Sequence, residues 1–333
     1  MRTGPEVVTL GECLVSLVAG EVGPLAEATT FHPHVAGAEA NVAVGLVRLG
    51  HTVAYIGRVG DDGFGTAILR RLRGEGVDTR CVRVEPEGGT GIMFRERRAV
   101  GPSEVVYRRA ASAGSRLGAE DIEAGVEAGL FVGARHLHLT GITPALSENC
   151  RGAVDASIEA ARSAGMTVSL DLNLRRRLWT DDQARPVLAA LVPRADIVFA
   201  SLEEAAVVAG GTGVGGDPTE RAAATARRLL DLGTGRVVLK LDAGASGSYA
   251  ADGSSVIVPA VPDVPLIDPV GAGDAFGAGY LAGMLEGLDE ATALALGNAC
   301  GASVMGAEGD LAGAPSRAEA DRIRRFSAGQ SIR

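Results

Sequence analysis

Short apolar runs alternate along the chain with stretches whose apolar residues recur every three or four positions. Residues 7–10, 53–56, 136–140, 167–171, 196–200 and 236–241 read as strands. Residues 40–49, 65–74, 148–163, 201–209, 219–232, 274–286 and 290–304 read as helices. Strand and helix in alternation predict an α/β fold, with a mainly parallel sheet covered by helices on both faces. In such sheets ligands sit beyond the carboxyl ends of the strands, so the chemistry is sought in the loops there.

Two stretches break the alternation. Residues 13–35 carry an apolar run and then TTFHPHV, and residues 90–109 read TGIMFRERRAVGPSEVVYRR. The second is two strand-like runs joined by a turn at Gly101 and Pro102. Neither stretch leads at once into a helix. Together they predict a small antiparallel sheet projecting from the main domain, as a lid or a dimer surface. Residues 210–218 (GGTGVGGDP) read as a flexible loop, and the tail after Pro315 as one surface helix with a frayed end.

Composition narrows the classes of partner. The 333 residues carry a net charge of −9, and Lys240 is the only lysine. An acidic chain is a poor partner for nucleic acid or an anionic membrane. Cys13, Cys81, Cys150 and Cys300 are widely spaced and form no C-x-x-C, so they read as reduced thiols. There is no signal-peptide pattern and no apolar stretch of about 18 residues. The expectation is a cytoplasmic protein. His32, His34, His136 and His138 lack carboxylates or cysteines at ligand spacing and read as structural.

The chemistry concentrates in residues 267–283, IDPVGAGDAFGAGYLAG. An apolar run ends at Asp268, Gly271-Ala272-Gly273 makes a bare turn, and Asp274 opens a helix. First-turn N–H groups lack intrahelical partners, and with the helix dipole they form an anion site. A carboxylate beside an anion site suits phosphoryl transfer to an alcohol. The donors hold the phosphoryl charge and the acid, ionised at neutral pH with an ordinary Asp pKa near 4, takes the hydroxyl proton. The plainer alternative is that Asp274 caps the helix. No GxxxxGK[ST] or dinucleotide fingerprint is present. A second Gly-rich segment, VAGAEANVAVGLVRLG at residues 35–50, puts Gly37 before a helix whose first turn holds Asn41, an amide suited to sugar hydroxyls, with a helix cap again the plainer alternative.

GAEANVAVGLVRLG, GRVGDDGFG at residues 57–65 and DPVGAGDAFGAGYLAG, in this order and separation, resemble the signatures of the ribokinase-like sugar kinases. The resemblance covers almost the whole chain. It implies one three-layer α/β/α kinase domain over residues 1–333, with lid segments at about 12–36 and 88–112. GECLVSLV, YRRAASAG, HLTGITPALS, SLDLNLRRRLW and EGDLAGAP are most similar to the 2-keto-3-deoxygluconate kinase branch. That branch implies transfer of the γ-phosphoryl group of ATP to the C6 hydroxyl of 2-keto-3-deoxygluconate. The alternatives are a fructokinase or other neutral-sugar kinase, and a sugar-acid or nucleotide sensor without catalysis.

The resemblance makes Asp274 the catalytic base and Gly271, Ala272 and Gly273 the anion hole. Gly37, Asn41, Met93, Tyr107, Arg109, Arg175 and Asp310 match substrate positions, and the two arginines suit a carboxylate. Asn173, Lys240, Gly244, Gly247 and Asn298 match nucleotide positions. Lys240 as a strand-end lysine, Asp310 as a loop residue and Asn298 as a solvent-facing residue are the plainer alternatives. Glu204, three residues after Ser201 where relatives often carry Asn, matches a water-mediated Mg²⁺ position. Arg95, Arg97, Arg98 and Arg108 read instead as surface salt pairing. ATP and Mg²⁺ are the implied cofactors, with a monovalent cation (K⁺) left open. Met93 stands where close relatives often have Tyr. The exposed edge of a lid sheet implies a homo-oligomer, at least a dimer.

Overall fold

A computed structural model of the chain describes residues 4–99, 101, 103–211, 217–241 and 245–327. In chain order the strands are β1 (Val7–Leu10), β2 (Leu14–Val22), β3 (Phe31–Ala36), β4 (Val53–Gly60), β5 (Val82–Glu85), β6 (Ile92–Arg97), β7 (Val105–Arg108), β8 (His136–Thr140), β9 (Thr167–Asp171), β10 (Ile197–Ser201), β11 (Arg236–Lys240), β12 (Ser246–Ala250) and β13 (Ser255–Val258). The helices are α1 (Ala38–Arg48), α2 (Gly63–Glu75), α3 (Ala119–Glu127), α4 (Thr143–Leu146), α5 (Glu148–Ser163), α6 (Asp181–Leu191), α7 (Leu202–Val208), α8 (Pro218–Leu230), α9 (Ala272–Leu285), α10 (Glu290–Met305) and α11 (Arg317–Ser327).

Strand β10 shows how the main sheet is buried. Val198 and Ala200 enter the core on one face, and Ile197 and Phe199 enter the core on the other. Apolar residues on both sides of the pleat suit a sheet covered twice. The sheet has nine strands in the order β13-β12-β11-β10-β9-β8-β1-β4-β5. Pairing is parallel from β11 to β5, while β12 and β13 add an antiparallel edge. Helices α3 and α5 to α8 pack one face through residues such as Ile122, Val154, Leu188 and Leu229. Helices α1, α2 and α9 to α11 pack the other through Leu46, Ile68, Leu281 and Leu294.

The smaller sheet has the order β3-β2-β6-β7. Its outer pairs are antiparallel, as the sequence predicts, but the middle pair, β2 with β6, is parallel. The reason is connectivity. Each outer pair is a hairpin, and between the two hairpins the chain returns to the main sheet through α1, β4, α2 and β5, so nothing forces opposed directions.

Helix α9 is buried nearly all round, which fits its uniformly apolar and small composition. It packs backbone to backbone on α10. A Cβ at Gly279 would lie 2.7 Å from the Leu296 carbonyl oxygen and 2.9 Å from the Cys300 Sγ. Cys13, Cys150 and Cys300 are buried free thiols, and Cys81 is partly buried and free. His136 and His138 both hydrogen-bond Ser169 within the core, and burial pushes each pKa down to about 3. Among the described residues no helix is long and apolar enough to cross a membrane.

Candidate active site

The loops beyond the strand ends converge on the start of α9. Glu12 follows β1, Asn173 and Arg175 follow β9, and Lys240 ends β11. Two cavities flank the 271–274 turn. One, of about 170 Å³, is lined by Gly37, Asn41, Met93, Tyr107, Arg109, Arg175 and Asp310, the full set nominated for substrate, together with Glu12, Arg95, Gly271 and Asp274. The other, of about 400 Å³, is lined by Ala272, Gly273, Phe276, Lys240 and Asn298 among others. The turn is thus shared, with Asp274 facing the first cavity and the small residues of the helix start facing the second.

Gly271 is the residue before α9 and has φ of 82°, which favours glycine. A Cβ there would also sit 2.6 Å from the Asp310 carbonyl oxygen. No side chain caps this helix end, which leaves it a binding place for an anion. The Ala272 amide is held only loosely, 3.3 Å from the Pro269 carbonyl.

Asp274 is not a cap. Its Oδ2 accepts a hydrogen bond from Asn41 at 2.7 Å and its Oδ1 one from Asn173 at 3.3 Å. The side chain is buried, and burial pushes its pKa up to about 7, against the Asn41 bond and the nearby charges of Arg175 and Lys240. This corrects the ordinary acidity expected from sequence. Asn173, nominated for the nucleotide, sits on the acid itself, in a left-handed conformation just past β9.

Three arginines reach the smaller cavity, in different states. Arg109 pairs with buried Glu12 and stacks 5.4 Å from the Tyr107 ring centroid. Glu12 also accepts a short bond from Ser112. Arg95 is buried against Asp268 and Asp310. The surface pairing expected for it is therefore wrong. β6 turns Arg95 inward on the face that carries Met93, two residues away. Arg97 and Arg98 do form half-exposed pairs, with Glu308 and Glu96, and Arg108 is exposed. Arg175 has no ion pair among the described residues. Burial and the Asp268 charge raise the Asp310 pKa, and Arg95 opposes them.

On the other side, Lys240 Nζ lies 3.0 and 2.9 Å from the Asp171 oxygens and packs beside Gly273. Burial works against its charge, but Asp171, Glu204 and Asp274 hold its pKa above the usual lysine value. Asn298 donates to the carbonyls of Pro259 (3.0 Å) and Val258 (3.4 Å), so it is not solvent-facing. Gly247 lies inside β12 opposite Leu239, against the Tyr249 ring and away from the cavity lining. Gly244 lies outside the described residues. Glu204 is engaged by backbone, accepting from Leu174 N–H at 2.9 Å and Ser201 N–H at 2.8 Å.

Residues 5–317 match the model of the pfkB family of carbohydrate kinases. The chain belongs to that family. It is 37% identical over 316 residues to the 2-dehydro-3-deoxygluconokinase of Bacillus subtilis, spanning 94% of this chain and 93% of the relative. Among solved structures, the 2-dehydro-3-deoxygluconokinase of Thermotoga maritima superposes with a TM-score of 0.85 at 28% identity, over 96% of this chain and 98% of that one. A putative ribokinase II from E. coli, solved with ATP and Mg²⁺, also gives 0.85, at 26% identity over 97% and 99% of the two chains. The fold is ribokinase-like, and the protein is a carbohydrate kinase.

The smaller cavity of this kinase holds two charged residues that sequence reasoning did not nominate for it, Glu12 and Arg95. Glu12 follows the first strand directly, inside the loop set that a strand-end search covers. Arg95 shares the period of two with Met93, a signal that could have drawn it into the site.

Proposed function

We propose that this kinase transfers the γ-phosphoryl group of ATP to the C6 hydroxyl of 2-keto-3-deoxygluconate, giving 2-keto-3-deoxy-6-phosphogluconate. One observation carries the reading: a single turn, 271–274, presents a buried carboxylate to a cavity rich in arginine and uncapped amides to a second cavity beside Lys240. In this arrangement the C6 oxygen attacks the γ-phosphorus as the bond to the bridging oxygen of ADP breaks. Asp274 takes the hydroxyl proton, and the helix start holds the charge on the phosphoryl oxygens. A base with a pKa near the working pH suits proton abstraction.

The acid specificity rests on Arg175. Glu12 already neutralises Arg109, and Asp268 and Asp310 neutralise Arg95. Arg175 is left to meet a substrate carboxylate, and a neutral sugar would leave it unmatched. The branch relatives named for 2-dehydro-3-deoxygluconate support the same choice.

Mg²⁺ bound with the nucleotide would neutralise charge on the phosphates. Among the described residues no group of three ligating side chains could hold a metal alone. The residues fit an ion carried by the phosphates, with Glu204 near it through water, because both Glu204 oxygens already serve backbone amides. An ADP-release screen over neutral sugars and keto-deoxy sugar acids tests the proposal. The expected outcome is preferred turnover of the keto-deoxygluconate with phosphorus on C6 by NMR; preference for fructose would overturn it.

A further inference from the structure

Arg95 points into the acceptor cavity, yet its guanidinium is committed to protein. One terminal nitrogen donates to both oxygens of Asp268, at 2.7 and 2.8 Å, and the other reaches Asp310 Oδ1 at 3.3 Å. Asp268 is buried and is tied to main chain on two sides. Its Oδ1 accepts from Val270 N–H at 3.1 Å and its Oδ2 from Gly309 N–H at 3.2 Å. Val270 immediately precedes Gly271. Asp310, next to Gly309, packs its own backbone on Gly271. One carboxylate therefore braces both pieces of chain that shape the anion-binding turn, and a strand of the small sheet grips that carboxylate. The same sheet meets residues 308–310 again outside, where Glu308 pairs with His32 at 3.2 Å and Arg97 at 3.1 Å.

We propose that Arg95 is a positioning residue: through Asp268 it makes the alignment of the 271–274 turn depend on the seating of the small sheet. The inference rests on the phosphoryl-transfer reading above. Without the guanidinium, two buried carboxylates, Asp268 and Asp310, face each other without a cation. The turn then loses its outer support, and a displacement of about 1 Å at a transfer centre costs about 10²-fold in rate. Coupling of this kind also disfavours an aligned turn while the acceptor cavity is open to water.

The test compares Arg95→Gln, Arg95→Lys, Asp268→Asn and the Arg95→Gln/Asp268→Asn double variant, with steady-state kinetics, thermal melting and calorimetric ADP binding. Arg95→Gln is expected to lower kcat by about 10²-fold with the sugar KM little changed. Arg95→Lys keeps the charge without the fork and is expected to fall between the two. The double variant is expected to cost no more than the worse single change, because both act on one connection. A raised sugar KM with intact kcat would instead make Arg95 a substrate contact and overturn the proposal, as would effects that multiply in the double variant. Should Arg95→Gln fail to melt cooperatively or bind ADP, Arg95→Lys decides: a normal melt with reduced kcat supports the coupling, and unchanged kcat removes it. Unmutated protein that phosphorylates no sugar would sink the functional reading and this inference with it, and that failure shows before any variant is made.

Discussion

The two cavities on either side of the 271–274 turn are built from different material. The smaller one sets charged and polar side chains from distant parts of the chain, Glu12, Asn41, Arg95, Arg109, Arg175 and Asp310, among apolar residues such as Leu14 and Ile142. The larger one is lined mostly by small or apolar residues, with Lys240, Ser246 and Asn298 as its polar side chains. A wall of small or apolar residues is set by the fold, and single side chains there matter little. A wall of paired charges depends on each partner, and one loss leaves another buried and uncompensated.

That contrast can be broken or sharpened by four measurements. The largest effect is expected at the border. Asp274→Asn should lose about 10²- to 10⁴-fold in kcat while ADP and sugar-acid binding persist; retained turnover would take Asp274 out of the chemistry. Next, Arg175→Ala should raise the KM of the sugar acid by about 10- to 100-fold and leave that of ATP alone, as expected for a lost charge-assisted contact. An unchanged sugar KM would remove the carboxylate assignment. Third, the pKa of Asp274 is raised to about 7, so the carboxylate is increasingly protonated below that pH and cannot accept the hydroxyl proton. kcat/KM should fall roughly tenfold per pH unit below about 7 and level off above it; a profile flat to pH 5 would contradict the buried base. Smallest is Asn298→Ala. Loss of its bonds to Val258 and Pro259 should raise the ATP KM about fivefold, ~1 kcal/mol, without touching the sugar KM.

The same contrast explains what was legible in the sequence. The shared turn and the acid come from one contiguous stretch, DPVGAGD, whose glycines and carboxylate state their chemistry in order. The strand–helix alternation gave the main sheet, since its strands carry apolar residues on both faces. The smaller cavity is less completely legible. Arg95 sits in a run with Arg97 and Arg98 that looks solvated, and only its place on a paired strand turns it inward. Burial sets the acidity of Asp274, against the bond from Asn41, and no local pattern encodes how remote segments enclose it. Gly247 belongs to the segment nominated for the nucleotide but is held inside β12 by pairing with β11. Helix α6 escaped because it carries Pro186 in its interior, a residue that usually ends helices.

The near-contact of α9 with α10 at Gly279 has a practical side. Two helices touching through their main chains leave no slack at the contact, so a side chain added at Gly279 would have to push α10 away and shift the helix that bears Asp274. Attempts to retrain this kinase for a new sugar should therefore keep that contact and Arg95, and vary Met93 and Tyr107, which stand side by side on β6 and β7.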